Sequence, residues 1–160
     1  MKKYPYAKEL KGPKLGTGNL RLTNPFLRLF FWMNNIRGMV LKPIFDTKRT
    51  RISVKGFLDY NLDCHIIQSN HLDSNAPTII YLHGGGFFGD LSPLIINKAC
   101  FYANELKCKV FVPRYRTSYK HKYPIPVEDS YCSTKDIISR YQELGVNKDK
   151  IVIYGDSAGG

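Results

Sequence analysis

The sequence predicts an α/β fold on a mostly parallel sheet with flanking helices, and three observations carry that expectation. From residue 78 onward, short apolar runs alternate with helix-forming stretches, the order that builds parallel sheets. The runs 78–82, 109–112 and 151–154 are, beyond their first residues Thr78 and Lys109, continuously apolar rather than alternating, as in strands covered on both faces. The last run leads straight into Gly155-Asp156-Ser157-Ala158-Gly159, a Gly-x-Ser-x-Gly pattern whose small residues suit a tight, strained strand-to-helix turn.

The elements follow in chain order. Residues 1–23 are polar and rich in Gly and Pro and read as an irregular tail. Asn24 followed by Pro25 is a cap and first-turn pair for a helix running to Arg37 and stopped at Gly38. Residues 51–54 and 62–68 are strand candidates joined through 56–61 as a hairpin, and 73–77 is a turn cluster. After the strand at 78–82, Ser92 and Pro93 open a helix over about 94–106, with Ser92 as its cap. Beyond the strand at 109–112, Pro126 opens a second helix that closes near Gly145. Glu128 and Asp129 are the acids that suit its first turn.

With 160 residues, 43% of them hydrophobic and 23% charged, the chain can bury a core. Cys64, Cys100, Cys108 and Cys132 contain no Cys-x-x-Cys pair. That spacing argues against a zinc site or disulfide scaffold and suits small buried thiols in a reducing, cytoplasmic compartment. The net charge of +11 is unevenly placed. Residues 1–51 hold 12 Lys and Arg against 2 Asp and Glu, whereas 52–160 hold 12 against 11. A basic arm of this kind suits peripheral contact with an anionic membrane surface. The charges come singly and no nucleic-acid motif accompanies them, so nucleic acid is not an expected partner. Residues 25–45 are the most apolar part of the arm. Arg28, Asn34, Asn35, Arg37 and Lys42 interrupt them, so an amphipathic helix is expected rather than a membrane span. No secretory signal is expected, because 4–18 lacks an apolar centre.

A serine hydroxyl is a poor nucleophile until a base takes its proton, and the oxyanion of acyl transfer needs preorganised donors. Ser157 at the turn is the candidate nucleophile. His83-Gly84-Gly85-Gly86-Phe87 follows the strand at 78–82 directly. Its consecutive glycines leave backbone N–H groups uncovered by side chains. In such an architecture these donors work with the N–H of the residue after the nucleophile, here Ala158. Together the two motifs point to a serine hydrolase.

These residues resemble the hormone-sensitive-lipase-like group of α/β-hydrolases, which includes acetyl-esterase-type carboxylesterases and arylacetamide deacetylases. His83 to Phe87 is similar to that family's oxyanion motif, and Gly155 to Gly160 to its nucleophile motif. Tyr115-Arg116, His121, Tyr123-Pro124 and Glu128-Asp129 resemble its intervening segment. The resemblance covers roughly residues 50–160 and implies an α/β-hydrolase fold, N-terminal half only. It implies Ser157 as nucleophile and the N–H groups of Gly84, Gly85 and Ala158 as the oxyanion hole. Gly86, Gly155, Asp156 and Gly159 would support the motifs, and His83 would brace the loop without transferring protons. It further implies a cap-like arm over 1–48, a catalytic-domain portion over 49–160, and a small acyl ester as substrate. No metal or organic cofactor is implied.

Two departures stand out. Arg114 replaces the family's Asp, and Thr117-Ser118-Tyr119-Lys120 replaces Leu-Ala-Pro-Glu, so different hydrogen bonding is expected in that loop. In this architecture the triad acid and histidine follow the serine, and neither follows Ser157 here. His65, His71 and His121 fall in a strand, a turn and a surface loop and are not assigned as the base. The chain is therefore expected to be a fragment, with an apolar edge on its final strand. The alternatives are an inactive truncated remnant or a binding module. A further one is dinucleotide binding, because Gly84, Gly86 and Gly89 satisfy Gly-x-Gly-x-x-Gly after a strand. Residues 90–93, however, delay the helix that this function needs.

Overall fold

The structure, a computed structural model, describes residues 45–160 together with Pro25, Leu29, Trp32, Met33, Ile36 and Arg37. These six are helical. The rest of the helix expected over 25–37, and the tail expected over 1–23, lie outside the described residues. No helix among the described residues is long and apolar enough to cross a membrane.

The expected hairpin forms, with longer arms. β1 (Thr47–Lys55) pairs antiparallel with β2 (Asn61–Ser69), Val54 opposite Leu62. A tight corner at Phe57–Asp59 joins them, with Leu58 and Asp59 at positive φ. β3 (Thr78–Leu82), α1 (Pro93–Glu105), β4 (Lys109–Pro113), α2 (Ile125–Ser139), α3 (Tyr141–Leu144) and β5 (Ile151–Gly155) follow. The sheet order is β1-β2-β4-β3-β5. β4, β3 and β5 run parallel, whereas β2 meets β4 antiparallel. The sheet is therefore mixed, because the hairpin returns the chain beside β4.

Period-two alternation divides the core between the two faces. Ile67, Ile79, Tyr81, Val110 and Val112 pack with Leu91, Ile96, Ala99, Cys100, Ala103 and Cys108 around α1. Leu62, Cys64, Ile66, Ile80 and Phe111 pack with Ile137 and Val146 on the α2 side. Cys64, Cys100 and Cys108 are free and buried, and Cys132 is free and partly exposed. The final strand β5 carries the expected apolar edge, although its run also reads as covered on both faces. It is the outer strand of the described sheet, paired only with β3, and Val152 and Ile153 are more than half exposed.

Three local expectations are corrected. Ser92 holds the cap position of α1, but its side chain makes no capping hydrogen bond. Its carbonyl accepts from Ile96 N, and Pro93 presets the first-turn φ. The helix expected to reach Gly145 breaks at Arg140, whose guanidinium bonds Asp136, Glu143 and the Ser53 carbonyl of β1. α3 then ends at Gly145 in the left-handed region, and Lys109 Nζ donates to the Leu144 and Gly145 carbonyls, satisfying orphan acceptors.

The third concerns Asp129, expected as a first-turn acid beside Glu128. It is fully buried. Arg116 Nε and Nη2 each donate to it at 2.8 Å, the Arg116 N–H at 3.0 Å and the Phe57 N–H at 2.9 Å. Burial alone would raise its pKa, but Arg116 and the two backbone donors outweigh that and hold it below the ordinary carboxylate range. The pair ties the hairpin corner, the segment after β4 and α2 together. Removing one partner of a buried pair typically costs about 3–5 kcal/mol, because the other charge is left uncompensated.

His65 on β2 gives the fold a pH dependence. It is fully buried and its Nδ1 accepts from Arg49 Nε at 3.0 Å, so the ring is neutral. Burial, then the nearby Arg49, Arg51 and Arg114, lower its pKa from 6.5 to about 3. Below pH 6.5 the unfolded chain binds a proton that the folded chain refuses, so stability falls as pH drops from 6.5 toward 3. Denaturant unfolding should show a loss of about 2 kcal/mol between pH 6.5 and pH 5. His65→Gln should reduce the slope of that limb, to which the buried His83 also contributes, and an equal slope in the variant would refute the assignment to His65.

Candidate active site

Ser157 lies immediately beyond β5 at φ +53, a left-handed value uncommon for a residue with a Cβ and a mark of stored strain. Residues 157–159 form one 3-10 turn, closed by Gly159 N–H donating to the Asp156 carbonyl at 2.9 Å. A Cβ on Gly155 would strike the Gly159 carbonyl, and one on Gly159 would strike the Leu82 carbonyl of β3. Both glycines are therefore demanded by backbone crossing backbone. Ser157 is exposed, and none of the four histidines hydrogen-bonds it. His65 is with Arg49, His71 with Asp46 and His83 with Gly84, while His121 lines a cavity elsewhere.

The glycine loop leaves β3 beside the turn. Gly85 (φ +130) and Gly86 (φ +61) use conformations that favour glycine. Gly85 O accepts from Phe88 N and Gly89 N, closing a tight turn. His83 is buried, its ring stacked on Tyr115 with centroids 4.3 Å apart. Its Nδ1 lies 2.9 Å from Gly84 O, and Tyr115 OH donates to its carbonyl at 2.6 Å. Burial lowers its pKa. The ring is thus enclosed and held neutral. The departures noted in the sequence supply further bonds. Arg114 forms a close pair with Asp90, at 2.6 Å from Nη2 to Oδ2, and Ser118 donates to the Phe87 carbonyl from both N and Oγ.

One expected oxyanion donor is corrected. The Gly84 N–H donates to Asp156 Oδ1 at 2.9 Å, and a donor committed to a carboxylate is not available to an oxyanion. Gly84 instead packs against the turn: a Cβ there would lie 3.2 Å from Ser157 Cβ. The N–H groups of Gly85 and Gly86 have no backbone acceptor among the described residues. Ala158 N–H stands at the start of its turn, ahead of the turn's own hydrogen bonds.

Asp156 does more than support a motif. Beside Gly84 N–H it accepts from Lys98 Nζ at 2.9 Å and from Tyr81 OH at 3.2 Å. Burial would raise its pKa, but Lys98, the Gly84 N–H and Tyr81 together hold it below the usual carboxylate range. Lys98, on α1, carried no sequence signal, because only packing brings residues 58 positions apart together. Among the described residues, no group of three or more His, Cys, Asp or Glu could hold a metal ion. A cavity of about 570 Å³ lies apart from Ser157, lined by Trp32, Tyr60, Arg114, Arg116, Tyr119 and His121 among others. The dinucleotide alternative fails on geometry. The glycines close a turn on themselves and α1 begins only at Pro93, so no helix N-terminus meets them.

The architecture is a covered α/β sheet bearing an elbow serine and a glycine loop at neighbouring strand ends. The sequence pattern of the family described as alpha/beta hydrolase fold matches residues 79–160, and the chain belongs to that family. It is 34% identical over 89 residues to Esterase LipI of Mycobacterium tuberculosis, covering 54% of this chain and 27% of that protein. It is 36% identical over 87 residues to human Arylacetamide deacetylase-like 3, covering 52% and 21%. The fold is similar to a bacterial heroin esterase, with a TM-score of 0.70 at 22% identity over 82% of this chain and 42% of that one. The matched stretch is thus about a quarter of those two relatives' lengths.

Gly155 offers a direct check of the elbow. Gly155→Ala should destabilise the protein by about 3 kcal/mol, the upper end for overpacking, because its Cβ meets backbone rather than a movable side chain. A melting temperature equal to wild type would show that the chain crossing at Gly159 is looser than described.

Proposed function

We propose that this chain carries the nucleophile and oxyanion-binding part of a serine carboxylic-ester hydrolase acting on small acyl esters. The observation that carries it is the packing of the glycine loop against the Ser157 elbow, with Gly84 in near contact with Ser157. Ser157 Oγ attacks the acyl carbon and the carbonyl oxygen becomes an oxyanion, stabilised by the N–H groups of Gly85, Gly86 and Ala158. Collapse expels the alcohol and leaves an acyl-enzyme, which water then hydrolyses. The base that takes the Ser157 proton is a histidine oriented by an acid, supplied from outside these 160 residues, since His65, His71, His83 and His121 are all engaged or placed elsewhere. The esterase names of the relatives support this chemistry. In the native protein, Ser157→Ala should lower hydrolysis of a short p-nitrophenyl ester by about 10⁴-fold or more. Retained turnover would exclude Ser157 as nucleophile.

The basic arm is proposed to meet an anionic membrane surface. Leu29, Trp32, Met33 and Ile36 are exposed at helical spacing, and the surrounding sequence carries the excess of Lys and Arg. Apolar contact and charge would act together there. The native protein should co-sediment with phosphatidylserine vesicles at low salt, and Trp32→Ser with Met33→Ser should weaken binding about tenfold. Equal binding to neutral and anionic vesicles would refute the electrostatic part.

A further inference from the structure

We infer that Lys98 is a positioning residue of the glycine loop, acting through Asp156, an inference that rests on the ester-hydrolase proposal. Asp156 precedes the candidate nucleophile and holds the loop through the Gly84 N–H at 2.9 Å. The same carboxylate is a liability, since a negative charge beside the elbow opposes the one that develops on the substrate oxygen. Lys98 answers both problems. Its Nζ lies 2.9 Å from Asp156 Oδ2, leaving Oδ1 for Gly84, and its positive charge offsets that of Asp156.

The ammonium is held in place. It lies 5.7 Å from the centre of the Tyr81 ring and 5.4 Å from that of Tyr154, distances at which an aromatic ring attracts a cation. Tyr81 OH also donates to Asp156, and Tyr102 OH meets Tyr154 OH at 3.4 Å. α1, β3 and β5 thus each contribute to fixing one carboxylate between the serine turn and the glycine loop. The pair is about one third exposed on each side, and ion pairs of that exposure add little to stability. Its contribution is to local field and loop position.

The test uses the native protein and three variants. Lys98→Met keeps most of the side-chain bulk. It should lower kcat about tenfold to a hundredfold, short of the ~10²–10³ that loss of one oxyanion donor costs, with KM changed less than about twofold and the melting temperature nearly unchanged. Lys98→Arg should retain most of the activity. Asp156→Asn on the Lys98→Met background should recover kcat, because the amide oxygen still accepts from Gly84 while the uncompensated charge is gone. Unaltered kcat in Lys98→Met, or further loss in the double variant, overturns the inference. Hydrogen exchange of the peptide over 83–89 reads the loop without turnover and should quicken in Lys98→Met. Unchanged exchange overturns the inference whether or not the wild type hydrolyses esters. Quickened exchange in a protein with no esterase activity sinks the ester proposal and upholds the link from Lys98 to the loop.

Discussion

The register of β3 against β5 is the constraint on which the site depends. Leu82 stands opposite Gly155 in a parallel pairing, so both strands release their loops at the same edge and level. In open α/β sheets ligands bind in the crevice just beyond such strand ends. The approach is so close that a Cβ on Gly159 would strike the Leu82 carbonyl and one on Gly84 would lie 3.2 Å from Ser157 Cβ. Shifting β5 by one residue would exchange its two faces, sending Tyr154 away from Tyr81 and removing Asp156 from Gly84. The strained φ of Ser157 is the local cost of this closeness, and the paired sheet beneath sustains it.

Three cation–carboxylate pairs then lock loops to elements, at very different depths. Arg116 with the fully buried Asp129 joins the hairpin corner to α2. Arg114 with Asp90 anchors the stretch after the glycine loop to the end of β4. Lys98 with Asp156 joins α1 to the elbow. Only the first is deep enough for its loss to unfold a region. The other two lie nearer the surface, where charge contributes more to orientation than to stability. Arg114 and Ser118 stand at positions that depart from the related family's usual residues, and they participate in holding the loop.

Much of this was legible in the chain. Apolar runs at 78–82 and 109–112 became buried strands because strands covered on both faces tolerate no polar alternation. Gly155, Ser157 and Gly159 gave the elbow, since close backbone contact restricts residue type so severely that the requirement shows in the sequence itself. The paired use of Asp129 was not legible. An acid in a first helical turn is usually a dipole partner, and nothing local distinguishes one that Arg116 will bury. Gly84 failed in the same way, because its N–H was assigned by motif position while its acceptor, Asp156, lies 72 residues away.

What the sequence by itself determined is the alternation of elements, the elbow and the glycine loop, all properties of short stretches whose backbone geometry permits few residue types. Only the tertiary structure decided the mixed sheet, the commitment of Gly84 to Asp156 and the arrival of Lys98 beside it. These depend on which strands pair and which helix face packs on them. Such choices follow from long-range burial and charge compensation, which no local pattern of residues encodes.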